Sequence, residues 1–202
     1  MHHYIRIARA PARLAILPGA FNPPTRAHLA MAEAALSVVD EMLFALPRAF
    51  PHKQYDGANF EQRLELLKAA IAGHPQFSLA VTDGGLFIEM AREARAAYGD
   101  SVAISLLCGA DAAERIAGWD YGAGAGIRDQ LREFELLVAS RGGPFEPPAE
   151  ISDRVRSITL PAGADLISST EVRRRIRAGE PWQDLVPPSV AEVIERRWSV
   201  WL

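Results

Sequence analysis

Short, uninterrupted apolar runs that stop at proline or glycine recur along this chain, separated by longer stretches with helical spacing. Few architectures accommodate that alternation. Leu14-Ala15-Ile16-Leu17 ends at Pro18-Gly19, Met42-Leu43-Phe44-Ala45-Leu46 ends at Pro47, and Ala103-Ile104-Ser105-Leu106-Leu107 leads into Cys108-Gly109. A strand buried on both faces reads as a continuous apolar run, whereas a half-exposed antiparallel strand alternates. Between these runs, Thr25 to Val39 carries Leu29, Ala32, Leu36 and Val39, and Phe60 to Ala72 carries Leu64, Leu67 and Ile71 on one face. Leu86 to Tyr98 is also helix-patterned, and Phe77–Val81, Glu135–Ala139 and Ser157–Leu160 supply further short strands. Strands alternating with helices predict βαβ crossovers, and hence an α/β, Rossmann-like parallel sheet with helices on both faces. Ligands of such sheets sit outside the carboxyl ends of the strands. The chemistry is therefore expected in the loops after Leu17, Leu46, Leu107 and Leu160.

Composition narrows the function classes. Among 202 residues, 22 basic side chains against 25 acidic ones give a net charge of −3. A general nucleic-acid binder normally carries a basic excess, so no nucleic-acid partner is expected and any bound anion must meet locally placed cations. The single cysteine, Cys108, excludes an intramolecular disulfide and a multi-cysteine metal cage, and fits a reducing compartment. No apolar run approaches the roughly 18–20 residues that span a bilayer, and Met1 to Arg6 lacks the apolar core of a signal peptide. One cytoplasmic domain over residues 1–202 is expected, with 165–202 as its helical C-terminal subregion and no membrane partner. Within that subregion Pro187 to Leu202 places Val190, Val193, Ile194, Trp198 and Trp201 on one helical face, which covers the core or, in an oligomer, a partner subunit. The Gly/Ala-rich stretch Tyr121–Gly126 and the Gly/Pro-rich stretch Gly142–Pro148 are expected to be mobile loops.

Two motifs carry phosphate chemistry. Gly19-Ala20-Phe21-Asn22-Pro23-Pro24-Thr25-Arg26-Ala27-His28 follows the first strand directly. Gly19 allows a tight turn and a close backbone approach. Thr25 suits the N-cap, and Thr25 and His28, three apart, share one face of the first helical turn. The unpaired N–H groups and positive dipole end of that turn favour an anion. Neither the dinucleotide glycine fingerprint nor a Walker A loop is present, and Gly122-Ala123-Gly124-Ala125-Gly126 has the wrong spacing for either. The second motif is Ile167-Ser168-Ser169-Thr170-Glu171-Val172-Arg173-Arg174-Arg175-Ile176-Arg177. Ser168 with Glu171 predicts a capping box that starts a helix. Three hydroxyls exceed what capping needs, and cations are disfavoured at a helix start, so Arg173 points to a bound phosphate; Arg174, Arg175 and Arg177 suit a solvated basic face equally well. Two weaker patches complete the set. Pro51-His52-Lys53 precedes Arg63, and Cys108-Gly109-Ala110-Asp111 precedes Trp119. Gly109 permits close ligand approach, Asp111 can accept hydrogen bonds from ribose hydroxyls, and Trp119 offers a flat face to a heterocycle or packs on the core.

Together these residues resemble the class I, cytidylyltransferase-like nucleotidyltransferases, most closely the nicotinate/nicotinamide mononucleotide adenylyltransferases. Gly19 to His28 is similar to that family's Gly-x-Phe-(Asp/Asn)-Pro-x-(His/Thr)-x-x-His motif, and Ile167 to Arg173 to its Ile-Ser-Ser-Thr-x-x-Arg motif. Pro51-His52-Lys53 with Arg63-Leu64, Gly109-x-Asp111 with Trp119, and Leu137 to Arg141 resemble three further family segments. The resemblance implies transfer of AMP from ATP to a pyridine mononucleotide, with Mg2+ arriving on the ATP phosphates and no protein metal site. It implies that Thr25 and His28 contact the phosphates, with His28 the main transition-state ligand. Gly19, Ala20 and Phe21 would line the ATP site, and Ile167, Ser168, Ser169, Thr170 and Arg173 would hold the phosphates from the opposite side. Gly109 and Asp111 would bind ribose, Trp119 would stack on the pyridine, and Asn22, Lys53 and Arg141 would position the mononucleotide. Thr25 and Ala27 stand where the bacterial form has His and Gly. Gly85-Leu86-Phe87-Ile88-Glu89 stands where bacterial members carry a Ser-Tyr-Thr-like segment that recognises nicotinate, which leaves the acceptor open between nicotinate and nicotinamide. The alternatives are transfer to a phosphopantetheine-like or sugar-phosphate acceptor, and a nucleotide sensor without turnover.

Overall fold

A computed structural model describes residues 1–7, 10–49, 57–118, 126–140, 145–160 and 167–197. The strands are β1 (His2–Ile5), β2 (Arg13–Pro18), β3 (Glu41–Pro47), β4 (Phe77–Thr82), β5 (Ala103–Gly109), β6 (Glu135–Ser140) and β7 (Val155–Thr159). The helices are α1 (Arg26–Ala35), α2 (Phe60–Ile71), α3 (Phe87–Tyr98), α4 (Ala110–Ala117), the single turn α5 (Ile127–Gln130), α6 (Ser169–Ala178) and α7 (Pro188–Arg197). The seven strands form one sheet in the order β1-β4-β3-β2-β5-β6-β7. From β4 to β7 all pairings are parallel, whereas β1 runs antiparallel along the outer edge of β4. The chain thus departs from an all-parallel sheet at one edge. β1 is short and alternates between exposed and half-buried residues, so it has no continuous apolar run to announce it.

The pleat sorts the apolar runs onto two faces. Ala15, Leu17, Met42, Phe44, Leu46, Phe77 and Leu79 belong to a core with residues of α1, α2, α6 and α7. Leu14, Ile16, Leu43, Ala45, Ile104 and Leu106 point the other way, into a core with Met90, Ala91 and Ala94 of α3 and Ala113 of α4. Both faces are therefore covered by helices. Val190, Ala191 and Ile194 of α7 are buried in the first core, where α7 packs on α2; Trp198 and Trp201 lie outside the described residues. So do Tyr121–Ala125, most of the first expected loop, and Gly142–Pro144, three residues of the second. Among the described residues no helix is long and apolar enough to cross a membrane.

Strand order fixes where a ligand can sit. β2 pairs with β3 on one side and with β5 on the other, so the sheet reverses its winding direction at β2. At such a reversal the loops leave on opposite faces and open a crevice beyond the carboxyl ends of the two strands. The loop after β2 carries the first motif, and α4 starts directly from Gly109 at the end of β5.

Candidate active site

The first motif is a rigid strap. Gly19 N–H donates to the Ala45 carbonyl at 3.1 Å, holding the strap against β3. Phe21, buried and with φ of 48°, lies in the left-handed region that a non-glycine side chain rarely adopts. Its ring folds back over Gly19, where an added Cβ would stand 2.8 Å from Phe21 Cζ. Glycine at position 19 thus leaves room for the chain's own phenyl ring. Three further contacts secure the strap. Arg63, buried on α2, donates to the Ala20 carbonyl at 3.2 Å, Ala58 N–H donates to the Asn22 side chain at 3.2 Å, and Thr25, fully buried, is the N-cap of α1.

His28 closes the first turn of α1. The Thr25 N–H donates to His28 Nδ1 at 3.0 Å, and Thr25 Oγ1 lies 2.8 Å from the same nitrogen. A backbone N–H can only donate, so Nδ1 accepts and the neutral ring carries its proton on Nε2, an assignment that follows from the hydrogen-bond pattern. The ring also packs edge-on against Phe21, with centroids 5.2 Å apart. Enclosure disfavours the charged imidazolium and pulls the pKa down from 6.5 to about 4. At neutral pH His28 is an uncharged N–H donor held in one orientation. The sign for stability follows. Between pH 6.5 and about 4 the unfolded chain takes a proton on this histidine that the folded chain refuses, so this contribution to stability is intact above 6.5 and is lost as pH falls. In urea titrations from pH 7 to 4.5 the ligand-free protein should therefore lose stability with a slope that His28→Gln makes shallower. An unchanged slope would mean that His28 titrates normally.

The second motif opens α6. Ser168 is the N-cap, its hydroxyl accepting from Glu171 N–H at 3.1 Å. The expected capping box is only half made, because the Glu171 carboxylate turns instead to Arg174 and Arg175, at 2.8 Å each, and those guanidiniums hold its carboxyl down at about 2. Arg174 also bonds Glu180 at 2.6 Å. Two of the four arginines are thus committed to carboxylates, and about half of the basic charge of this helix is neutralised locally. Arg173 behaves differently. Its guanidinium reaches back across the fold and donates to the Asn22 carbonyl at 2.7 Å, as well as to the Ser169 carbonyl at 3.2 Å and Thr170 Oγ1 at 3.4 Å. Ser169 Oγ donates to the Pro23 carbonyl at 2.8 Å. The two motifs, about 150 residues apart, are therefore bonded directly through the backbone of the strap. A cleft of about 460 Å³ is lined by Thr170, Arg173, Arg174 and Arg177.

The remaining expected residues divide in two. Gly109 is the N-cap of α4, with no atom within 4 Å of where a Cβ would stand, and Asp111 is exposed in the first turn of that helix. Ile167 is half-buried just before α6, and Ala20 and Asn22 lie in the strap. Lys53, Trp119 and Arg141, with Pro51 and His52, lie outside the described residues. Cys108 is buried, and burial pushes its thiol up to about 12, which suits a core residue rather than a nucleophile. Arg63 is the contributor whose role the sequence left open: a buried arginine that holds a strap carbonyl.

A neutral histidine donor and a buried hydroxyl at the start of α1 are thus joined, through the strap, to the hydroxyls and the arginine at the start of α6. The sequence profile of the cytidylyltransferase-like family matches residues 16–175, from inside β2 to inside α6 and across both motifs. The chain belongs to that family. It is a nucleotidyltransferase. Proteins named as probable nicotinate-nucleotide adenylyltransferases match it along nearly their whole length. The one from Gloeobacter violaceus is 31% identical, covering 92% of this chain and 94% of that protein, and the one from Moorella thermoacetica is 29% identical, covering 96% and 94%. The fold is shared with the solved Plasmodium falciparum nicotinic acid mononucleotide adenylyltransferase complexed with NaAD, at a TM-score of 0.69 and 17% identity over 91% of this chain and 95% of that one.

Proposed function

We propose that this nucleotidyltransferase moves AMP from ATP to the 5′-phosphate of a pyridine mononucleotide, nicotinate or nicotinamide, releasing pyrophosphate and forming the dinucleotide. The observation that carries this reading is the direct bonding of the α6 start to the strap before α1, Ser169 to Pro23 and Arg173 to Asn22. It brings the start of α6, with Ser168, Thr170 and Arg173, against the strap that leads into Thr25 and His28, which supports holding a chain of phosphates from two sides. Relatives named for nicotinate mononucleotide support the acceptor class.

In this reading an acceptor phosphate oxygen attacks the α-phosphorus in line. The bond from that phosphorus to the bridging oxygen breaks, and its electron pair leaves with pyrophosphate. The attacking oxygen is already ionised, so no general base is required. What the protein supplies is position and compensation for the charge that moves onto the leaving group. His28 Nε2–H, Arg173 and the N–H groups at the starts of α1 and α6 are arranged for that, while Gly109 and Asp111 take the adenosine ribose. Asn22, Lys53, Trp119 and Arg141 are assigned to the mononucleotide. Among the described residues no group of three or more His, Cys, Asp or Glu could hold a metal. The donors at the crevice suit phosphate oxygens rather than a cation, so Mg2+ fits as a passenger of ATP, kept by phosphate and water, where it neutralises phosphate charge. The unit is residues 1–202, with 165–202 its C-terminal subregion, working in the cytoplasm.

The deciding experiment is pyrophosphate release from ATP and Mg2+ with nicotinate mononucleotide, nicotinamide mononucleotide or 4′-phosphopantetheine as acceptor. Turnover with a pyridine mononucleotide is expected. Turnover with phosphopantetheine alone would move the assignment to another acceptor, and silence with all three would leave a nucleotide sensor.

A further inference from the structure

Among the described residues the sheet ends at β1 on one side and β7 on the other, and the two edges are built differently. β1 breaks register between His3 and Ile5, and an irregularity of that kind is one device by which an edge is spoiled for further pairing. β7 carries no such device. Its five residues, Val155-Arg156-Ser157-Ile158-Thr159, contain neither glycine nor proline and pair in unbroken register with Leu136 to Ser140 of β6. Leu160 N–H donates inward, to the Ser140 carbonyl at 3.4 Å. By the alternation of an extended strand, the main-chain groups of Val155, Ser157 and Thr159 therefore face outward.

Beside this edge runs an apolar groove of about 670 Å³ between β7 and α1. Ala30 and Ala34, one turn apart on α1, belong to one wall, and Ile158 and Leu160 to the other. Two charges of opposite sign stand at it. Glu33 lines the groove from α1. Arg156 lies two residues before Ile158 on the strand, hence on the same face of the sheet. Both side chains are exposed, and among the described residues neither has an ion-pair or hydrogen-bond partner.

A second copy of this chain answers both features. Pairing β7 antiparallel with β7 of another copy, about a two-fold axis at Ser157, sets the outward groups of the two Ser157 residues against each other and those of Val155 against Thr159. The same register puts Arg156 directly opposite Ile158 of the other copy, on the α1 face, and so beside the groove wall that carries Glu33 there. Two-fold symmetry then brings the second Arg156 to the first copy's Glu33. We infer that β7 is a self-pairing edge, at which two copies join their sheets antiparallel with Arg156 of each facing Glu33 of the other. An arginine on an edge strand ordinarily discourages pairing. Opposite a carboxylate it sets the register instead, because a slip of one residue places Arg156 opposite a side chain of the other face, out of line with Glu33. An unrelated peptide could make the same main-chain bonds, but a second copy also satisfies both charges at once.

Sedimentation velocity of the full chain over a concentration series reads the association directly. The wild type should dimerise. Arg156→Glu and Glu33→Arg should each raise the dimer dissociation constant by about tenfold, since two exposed ion pairs become two like-charge contacts. Combining Arg156→Glu with Glu33→Arg exchanges the charges and should restore the wild-type constant, a rescue that general damage to the fold does not give. Thr159→Pro removes an outward N–H while sparing the ladder to β6, and should leave a folded monomer. A wild type still monomeric at about 0.1 mM would overturn the inference. So would a dimer that none of these variants weakens, or one that the charge exchange fails to restore. The proposed reaction stands in every case.

Discussion

His28→Ala lowers kcat for adenylyl transfer by about 10² to 10³, or roughly 2.7–4 kcal/mol, the usual loss when one preorganised donor to a developing charge is removed. The argument rests on how the ring is held. Thr25 N–H fixes Nδ1 as an acceptor and Phe21 packs against the ring, so Nε2–H is oriented before any phosphate arrives. With its pKa drawn down to about 4, the ring is an uncharged donor at pH 7 and contributes direction rather than net charge. The variant also strands the Thr25 N–H beside the buried Thr25 side chain, which costs about 1–3 kcal/mol of stability unless water reaches it. Steady-state kinetics beside a thermal melt separates the two effects. A folded His28→Ala protein with turnover within a few-fold of wild type would remove His28 from the reacting groups.

The second large effect is expected at Arg173. Its guanidinium holds the Asn22 carbonyl and is assigned to the phosphates, so truncation removes a cation and loosens the strap together. Arg173→Ala should reduce kcat/KM for ATP by about 10² to 10³, the scale of one lost donor at a developing charge. Arg173→Lys is the informative variant, because lysine keeps the charge but has no planar fork of donors to serve two carbonyls at once. If the strap matters, lysine recovers less than a tenth of the lost activity and the melting temperature falls in both variants. Near-complete recovery by lysine would assign Arg173 a purely electrostatic role.

The strands of the sheet were legible because burial on both faces leaves no polar residue to break an apolar run, as in Met42 to Leu46. β1 was not. Its His2-His3-Tyr4-Ile5 becomes a strand only by pairing with the edge of β4, a non-local partner that local pattern cannot report. The site divides on the same principle. Side chains that act through their own helix turn, such as Thr25, His28 and Ser168, follow from spacing. The bonds from Arg63, Ser169 and Arg173 end on the carbonyls of Ala20, Pro23, Ser169 and Asn22, and every residue has a carbonyl, so no residue type marks those positions. The glutamate at 171 shows the reverse case: a capping signature whose second half lost to stronger partners, two guanidiniums on the same helix.

The bonding of α6 to the strap before α1 also sets a schedule for synthesis. The strap, β2 and α1 leave the ribosome early, yet their partners Ser169 and Arg173 follow about 146 and 151 residues later. At roughly 5–20 residues per second, that interval lasts on the order of ten seconds or more. Throughout it a nascent chain carries the histidine half of the proposed phosphate site without the half that closes it. ATP stabilises only a state it binds, in proportion to ln(1 + [L]/Kd). Cellular ATP therefore offers little to the growing chain, and its stabilisation sets in when α6 docks.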